Sequence, residues 1–125
     1  MDEYSTIARN VHDLPATDGP IHDGRGAARN APVFGPGDFS TALRFVNYTE
    51  LPAGASIGAH THGDDEEIYF ILDGSGRMTI NGEPHEVKSG DMVLNRPFWT
   101  HGLENTGKGV LRLIVFGAVN KSGEP

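Results

Sequence analysis

The stretch Gly54-Ala55-Ser56-Ile57-Gly58-Ala59-His60-Thr61-His62-Gly63-Asp64-Asp65-Glu66-Glu67 holds most of what can be read from this chain. Successive side chains of a strand point to opposite faces, so His60 and His62 project to one side with Thr61 turned away. Two imidazoles so placed can grip a single ion. Gly63-Asp64-Asp65 is turn chemistry, and a new strand is expected from about Glu66. With a reversal in between, parity with His62 is not required, and either Glu66 or Glu67 can supply a carboxylate.

Outward from this stretch, the chain after Asp38 is a series of short apolar runs broken by turn residues, which is the signature of an all-β sandwich or barrel. The runs are Ala42 to Tyr48, Ile68 to Leu72, Met78 to Ile80, Met92 to Leu94 and Val110 to Phe116. Asn81-Gly82 predicts a tight hairpin, because both central residues of a type I′ turn need positive φ. Asp73-Gly74-Ser75-Gly76 and Ser89-Gly90-Asp91 mark two more reversals. Apolar spacing at three, four and seven residues is missing, so helix is expected to be nearly absent. Residues 1–37 are rich in Gly, Pro, Asp and Asn and read as an irregular N-terminal arm with one or two short strands, packed on a domain of residues 38–120 and followed by a flexible tail, 121–125. Ile68 to Leu72 and Val110 to Phe116 are apolar on nearly every residue, whereas a strand with one wet face alternates. Either the arm or a second copy of the chain is expected to cover their outer faces.

Bulk properties narrow the partners. A chain of 125 residues with 37% hydrophobic and 22% charged residues fits one compact domain with its own core. The net charge of -7 argues against nucleic acid or an anionic membrane as partner, since both reward clustered Lys and Arg. A small molecule is the favoured ligand. With no cysteine, disulfides and thiolate metal sites are excluded, and a reducing cytoplasm is the expected compartment. The start Met1-Asp2-Glu3-Tyr4 has no basic, apolar leader character.

Far along the chain, His101 follows Arg96-Pro97-Phe98-Trp99-Thr100 and can add a third imidazole from a neighbouring strand. Three imidazoles and one carboxylate suit one divalent transition metal, with Fe, Mn, Ni, Co, Cu and Zn all compatible.

The pattern resembles the cupin superfamily. Its first motif runs Gly, five residues, His-x-His, three or four residues, Glu, six residues, Gly, and Gly54, His60, His62, Glu67 and Gly74 follow it. The six-residue gap to Gly74 selects Glu67 as the ligand over Glu66. The second motif runs Gly, five residues, Pro-x-Gly, two residues, His, three residues, Asn. Gly90, His101 and Asn105 match it, but Arg96 stands where Pro is usual and Phe98 where Gly is usual. The resemblance spans Ala42 to Phe116. It implies a double-stranded β-helix, or jelly roll, holding one metal through His60, His62, Glu67 and His101 inside the barrel.

Around that centre, alternation from Glu67 turns Tyr69 inward, and alternation from His101 does the same for Trp99. Tyr69, Arg96, Phe98 and Trp99 are the candidate pocket residues. Asn105 is expected to brace the loop after His101, while His12, His22, His85, Arg25 and Arg29 read as solvated. With no general base or nucleophile evident outside the donor set, the expected chemistry belongs to the metal. A dioxygenase-like oxidoreductase acting on a chelating small molecule is the first expectation. The alternatives are a non-redox isomerase, cyclase or decarboxylase, or a binding protein without turnover.

Overall fold

In a computed structural model that describes residues 3–120, the chain folds as two antiparallel sheets closed over one core. A one-turn helix, α1 (Glu3–Ile7), precedes ten strands: β1 (Thr17–Gly19), β2 (Ala28–Phe34), β3 (Leu43–Leu51), β4 (Ser56–Thr61), β5 (Asp65–Asp73), β6 (Ser75–Ile80), β7 (Glu83–Lys88), β8 (Met92–Asn95), β9 (Thr100–Glu104) and β10 (Leu111–Val119). The larger sheet has the order β1-β2-β3-β10-β5-β8 and the smaller β4-β9-β6-β7. This is the jelly-roll barrel expected from the sequence. The proposed tail, 121–125, lies outside the described residues.

Turn chemistry sets the register. Asn81 (φ 50°) and Gly82 (φ 85°) both take the left-handed conformation between β6 and β7, where Ile80 pairs with Glu83. Asn105 closes the β9–β10 loop by donating from Nδ2 to the Leu51 and Gly109 carbonyls, both at 2.8 Å, and accepting at Oδ1 from the Gly107 amide.

Alternation then divides each strand of the larger sheet. Leu51, Ile71, Leu111 and Leu113 face in and meet Met78 and Leu103 of the smaller sheet, all at 0–1% exposure. Burial of each such side chain stabilises the fold by roughly 1.5–3 kcal/mol. Along β5 the inward positions run from Ile71 in the core through Tyr69 to Glu67 near the barrel mouth, so one strand leads from the hydrophobic centre to the candidate site.

The N-terminal arm is more integrated than its composition indicates, because β1 and β2 extend the larger sheet beside β3. The arm covers part of that sheet's outer face. His12 packs edge-on against Tyr48, Arg9 lies over the Phe34 ring, and Ala31 is buried. Outward residues of β10, β5 and β8 remain open, with Met92 58%, Leu94 41% and Leu72 39% exposed.

Candidate metal centre

Glu67 comes from the larger sheet, and His60 and His101 are direct cross-strand partners on β4 and β9 of the smaller one. Closing the barrel brings them face to face. His62 lies one residue past β4, where its backbone amide donates to the Trp99 carbonyl at 3.1 Å. Glu66 is on the outer face of β5 and exposed, whereas Glu67 is buried. The four candidate donor atoms all lie within 4.8 Å of one another.

Several spacings match what a shared ion requires. Donors about 2.1 Å from a common metal sit about 3.0–3.4 Å apart in octahedral or tetrahedral arrangements. Glu67 Oε1 is 3.1 Å from His62 Nε2 and 3.3 Å from His101 Nε2, and those two nitrogens are 3.4 Å apart. His60 Nε2 is farther, at 4.0 Å from the same oxygen. Glu67 Oε1 and His60 Nε2 are buried without an aligned hydrogen bond, although each has a counterpart at ion-pair distance. Such atoms aim at a common point instead of at each other, which is the arrangement a cation completes. The residues therefore fit a divalent transition metal.

Neighbouring groups hold the rings in position. His60 Nδ1 is 2.8 Å from the Gly58 carbonyl, and His62 Nδ1 is 2.9 Å from the Asp65 carboxylate. Each Nδ1–H donates outward and leaves Nε2 for the ion. Asp65 was not singled out from the sequence, yet its place three residues after His62 across a turn was a usable signal. Burial alone raises the pKa of Glu67, but His101, His60 and His62 outweigh it and bring it down to about 2. Burial is also the main reason His101 is held below the usual imidazole range, so it stands neutral at pH 7. Burial, reinforced by the Glu67 charge, pushes Tyr69 well above the ordinary phenol range and keeps its hydroxyl protonated.

A cavity of about 240 Å³ opens in front of Glu67. Tyr69, Phe45, Ile57 and Val115 wall it together with the polar residues Asn30, Asn47 and Thr49. A larger cleft of about 420 Å³ beside Thr41–Arg44 is lined by none of the four donors.

Of the pocket residues expected from the sequence, Tyr69 lines this cavity and Arg96, Phe98 and Trp99 do not. Trp99 precedes β9, so counting by twos from His101 does not apply to it. Phe98 takes φ 66° where the family pattern has Gly, its amide donates to the Gly63 carbonyl, and its side chain is 66% exposed. A non-glycine residue in that conformation costs about 1–2 kcal/mol. Arg96 is exposed and stacks over Trp99 at 5.9 Å.

His22 is exposed, as the sequence reading has it, yet it also reaches the site. It belongs to the arm, carries φ 50°, and stacks on the His60 ring with centroids 3.6 Å apart and planes at 13°. Ile21 beside it bridges to Ile57, and both residues line the cavity. Composition made the arm look loose; the stack exists because the backbone of residues 21–25 is bonded to the start of β4.

An antiparallel barrel that turns three imidazoles and a carboxylate toward one interior point belongs to the class of small β-barrels equipped to hold a metal. Residues 47–117, more than half of the chain, match the model for the cupin domain, and the chain belongs to that family. It is 29% identical over 109 residues to an oxalate-binding protein of Thermotoga maritima, covering 87% of this chain and 90% of the relative. It is 41% identical over 64 residues to an uncharacterised protein of Methanocaldococcus jannaschii, about half of each chain. Among solved structures, a T. maritima protein described as a predicted oxalate decarboxylase superposes with a TM-score of 0.88 at 25% identity, covering 91% of this chain and all of the other. Among the described residues, no helix is long and apolar enough to cross a membrane.

Proposed function

We propose that this protein is a metal-dependent enzyme for a small molecule that chelates through two adjacent oxygens, with dioxygenase-like oxidation as the first reading. The supporting observation is that the four donors cluster within 4.8 Å of one another and that one of them, Glu67, borders an accessible cavity. A divalent transition ion bound there supplies Lewis acidity and, if redox-active, electron transfer with dioxygen, with coordination positions left for substrate. The chain's own residues do the rest. Asp65 and the Gly58 carbonyl orient the imidazoles, Tyr69 offers a protonated hydroxyl, and Phe45, Ile57 and Val115 exclude bulk water. The second reading is redox-neutral conversion or capture of a small carboxylate, which the oxalate-binding relative favours.

Elemental analysis of tag-free protein, followed by oxygen-electrode assays on anaerobically Fe(II)-loaded protein with a panel of chelating acids, separates the two. Oxygen uptake that needs both Fe(II) and one panel member supports the first. Conversion without oxygen by Mn(II) or Zn(II) protein replaces it with the second, and tight binding with no turnover leaves only capture.

We further propose that the working unit is a homodimer formed through the open outer face of the larger sheet. Two cross-strand rows lie there: Val46, Phe116, Ile68 and Leu94, and beside them Ile114, Phe70 and Met92, the second row ending at Tyr48, which the arm already covers. A contiguous apolar face of several hundred Å² is unusual on a monomer. Light scattering at micromolar concentration is expected to report a dimer, and Phe116→Asp a monomer with unchanged metal content. A monomeric wild type overturns it.

A further inference from the structure

Apart from Glu67 and the His22 ring, the wall of the cavity has no ionisable group that is charged at neutral pH. Asn30 on β2 stands opposite Thr49 on β3, and the Thr49 hydroxyl donates to Asn30 Oδ1 at 2.9 Å. That bond engages the oxygen end of the amide and leaves Asn30 Nδ2 as a donor. Asn47 lies two residues before Thr49 on the same inward face of β3. Among the described residues lining the cavity there is no Lys or Arg; the one carboxylate is Glu67. Arg25 is engaged outside with Glu104, and Arg96 lies over Trp99.

Charge balance then discriminates between ligands. Three neutral imidazoles, one carboxylate and a divalent ion leave a single net positive charge. A ligand with one negative charge cancels it. A dicarboxylate leaves one negative charge in a small, partly desolvated space with no Lys or Arg to answer it, which is costly. The cavity is also below the usual range of roughly 300–1,000 Å³ for ligand pockets, so few atoms fit.

Resting on the reading of the four donors as a metal centre, we propose that this site selects small monoanionic chelators over dicarboxylates such as oxalate. The carboxylate and an adjacent neutral oxygen meet the metal, and the uncharged end hydrogen-bonds to Asn30, Asn47 and Thr49. The preference is thus opposite in sign to the one that the name of the T. maritima relative suggests.

Oxalate and oxamate make a sharp test, because they share shape and chelating oxygens and differ by one charge and one amide. Calorimetric titration of the Mn(II)-loaded full chain at neutral pH is expected to show oxamate binding tighter by about ten-fold or more. Asn47→Lys, which adds the missing cation, is expected to reverse the order while keeping one ion per chain. Asn30→Lys, on the neighbouring strand, gives a second route to the same reversal should the first variant fold poorly. Oxalate binding as tightly as oxamate to the wild type overturns the inference, as does an unchanged order in a folded Lys variant or no binding of either acid. A chain that takes up no ion removes the metal reading as well. One that takes up the ion but prefers oxalate removes only the inference.

Discussion

Replacing His62 with Ala lowers the affinity for a divalent transition ion by about a hundred-fold or more, and Glu67→Gln does the same, while His85→Ala leaves it unaltered. Loss of a group that merely orients a metal ligand already costs about 10–100-fold, so removal of a donor from a four-donor set costs at least as much. His62 is itself oriented by Asp65, and Glu67 Oε1 lies 3.1 Å from His62 Nε2 and 3.3 Å from His101 Nε2. Gln keeps the shape of Glu67 and removes its charge, which isolates the electrostatic share. His85 is exposed on β7 and outside the donor cluster.

Acid removes the ion for the same reason, with a sign that the site fixes. Burial lowers the pKa of His60, but Glu67 and the Gly58 carbonyl outweigh it, so in the metal-free protein it lies above the usual imidazole range. The stability contributed by a protonated His60 is present below the unfolded-state value and is lost as pH rises through the folded one. Metal binding needs the bare nitrogen and runs the other way, strengthening with pH. Glu67 at about 2 behaves oppositely: its contribution to the metal-free fold is present above the ordinary carboxylate value of 4.5 and is lost only as pH falls toward 2. Release on acidification therefore follows protonation of the imidazoles, at a pH that falls as the ion is held more tightly. Metal retained after dialysis over a pH series, alongside chelator competition for the variants, checks both points. Metal retention that does not fall on acidification, or full affinity in His62→Ala, contradicts the assignment.

Gly58→Ala is expected to destabilise the protein by about 1–3 kcal/mol, although position 58 is neither in the core nor a ligand. The Gly58 amide donates to the Ile21 carbonyl at 3.0 Å, and the Gly24 amide to the same oxygen at 2.9 Å. The Ser56 amide donates to the Arg25 carbonyl at 2.8 Å, and Ser56 Oγ accepts from the Arg25 amide. This strap brings backbone against backbone so closely that a Cβ on Gly58 runs into the His22 carbonyl oxygen, and one on Gly24 into the Ser56 carbonyl. Alanine forces the strap off β4 and takes His22 from its stack on His60. Thermal unfolding is expected to show a midpoint lower by several degrees. Gly35→Ala is the matched control, since a Cβ there meets nothing within 4 Å, and it stays within about 0.5 kcal/mol of wild type. A Gly58→Ala protein as stable as the control removes the strap from the account.

The amino-acid sequence by itself determined the barrel class, the turns and the pairing of His60 with His62, because each of these is written in short range, whereas His101 and the carboxylate joined the candidate set through the long-range spacing of the resembled motifs. Period-two alternation places His60 with His62, left-handed φ demands Asn81-Gly82, and apolar runs mark β3, β5, β6, β8 and β10. The choice of Glu67 over Glu66 needed motif spacing, and β5 makes the reason physical by setting Glu67 in register with inward Tyr69 and Ile71. Only the tertiary structure decided the wall of the cavity. Asn30, Asn47 and Thr49 are ordinary polar strand residues in the sequence, and their inward direction follows from the pairing of β2 with β3 and the closure of two sheets. His22 reached the site through backbone hydrogen bonds between segments more than thirty residues apart, a contact to which periodicity is blind. Phe98 and Trp99 were lost from it because a turn, where alternation has no meaning, separates them from β9.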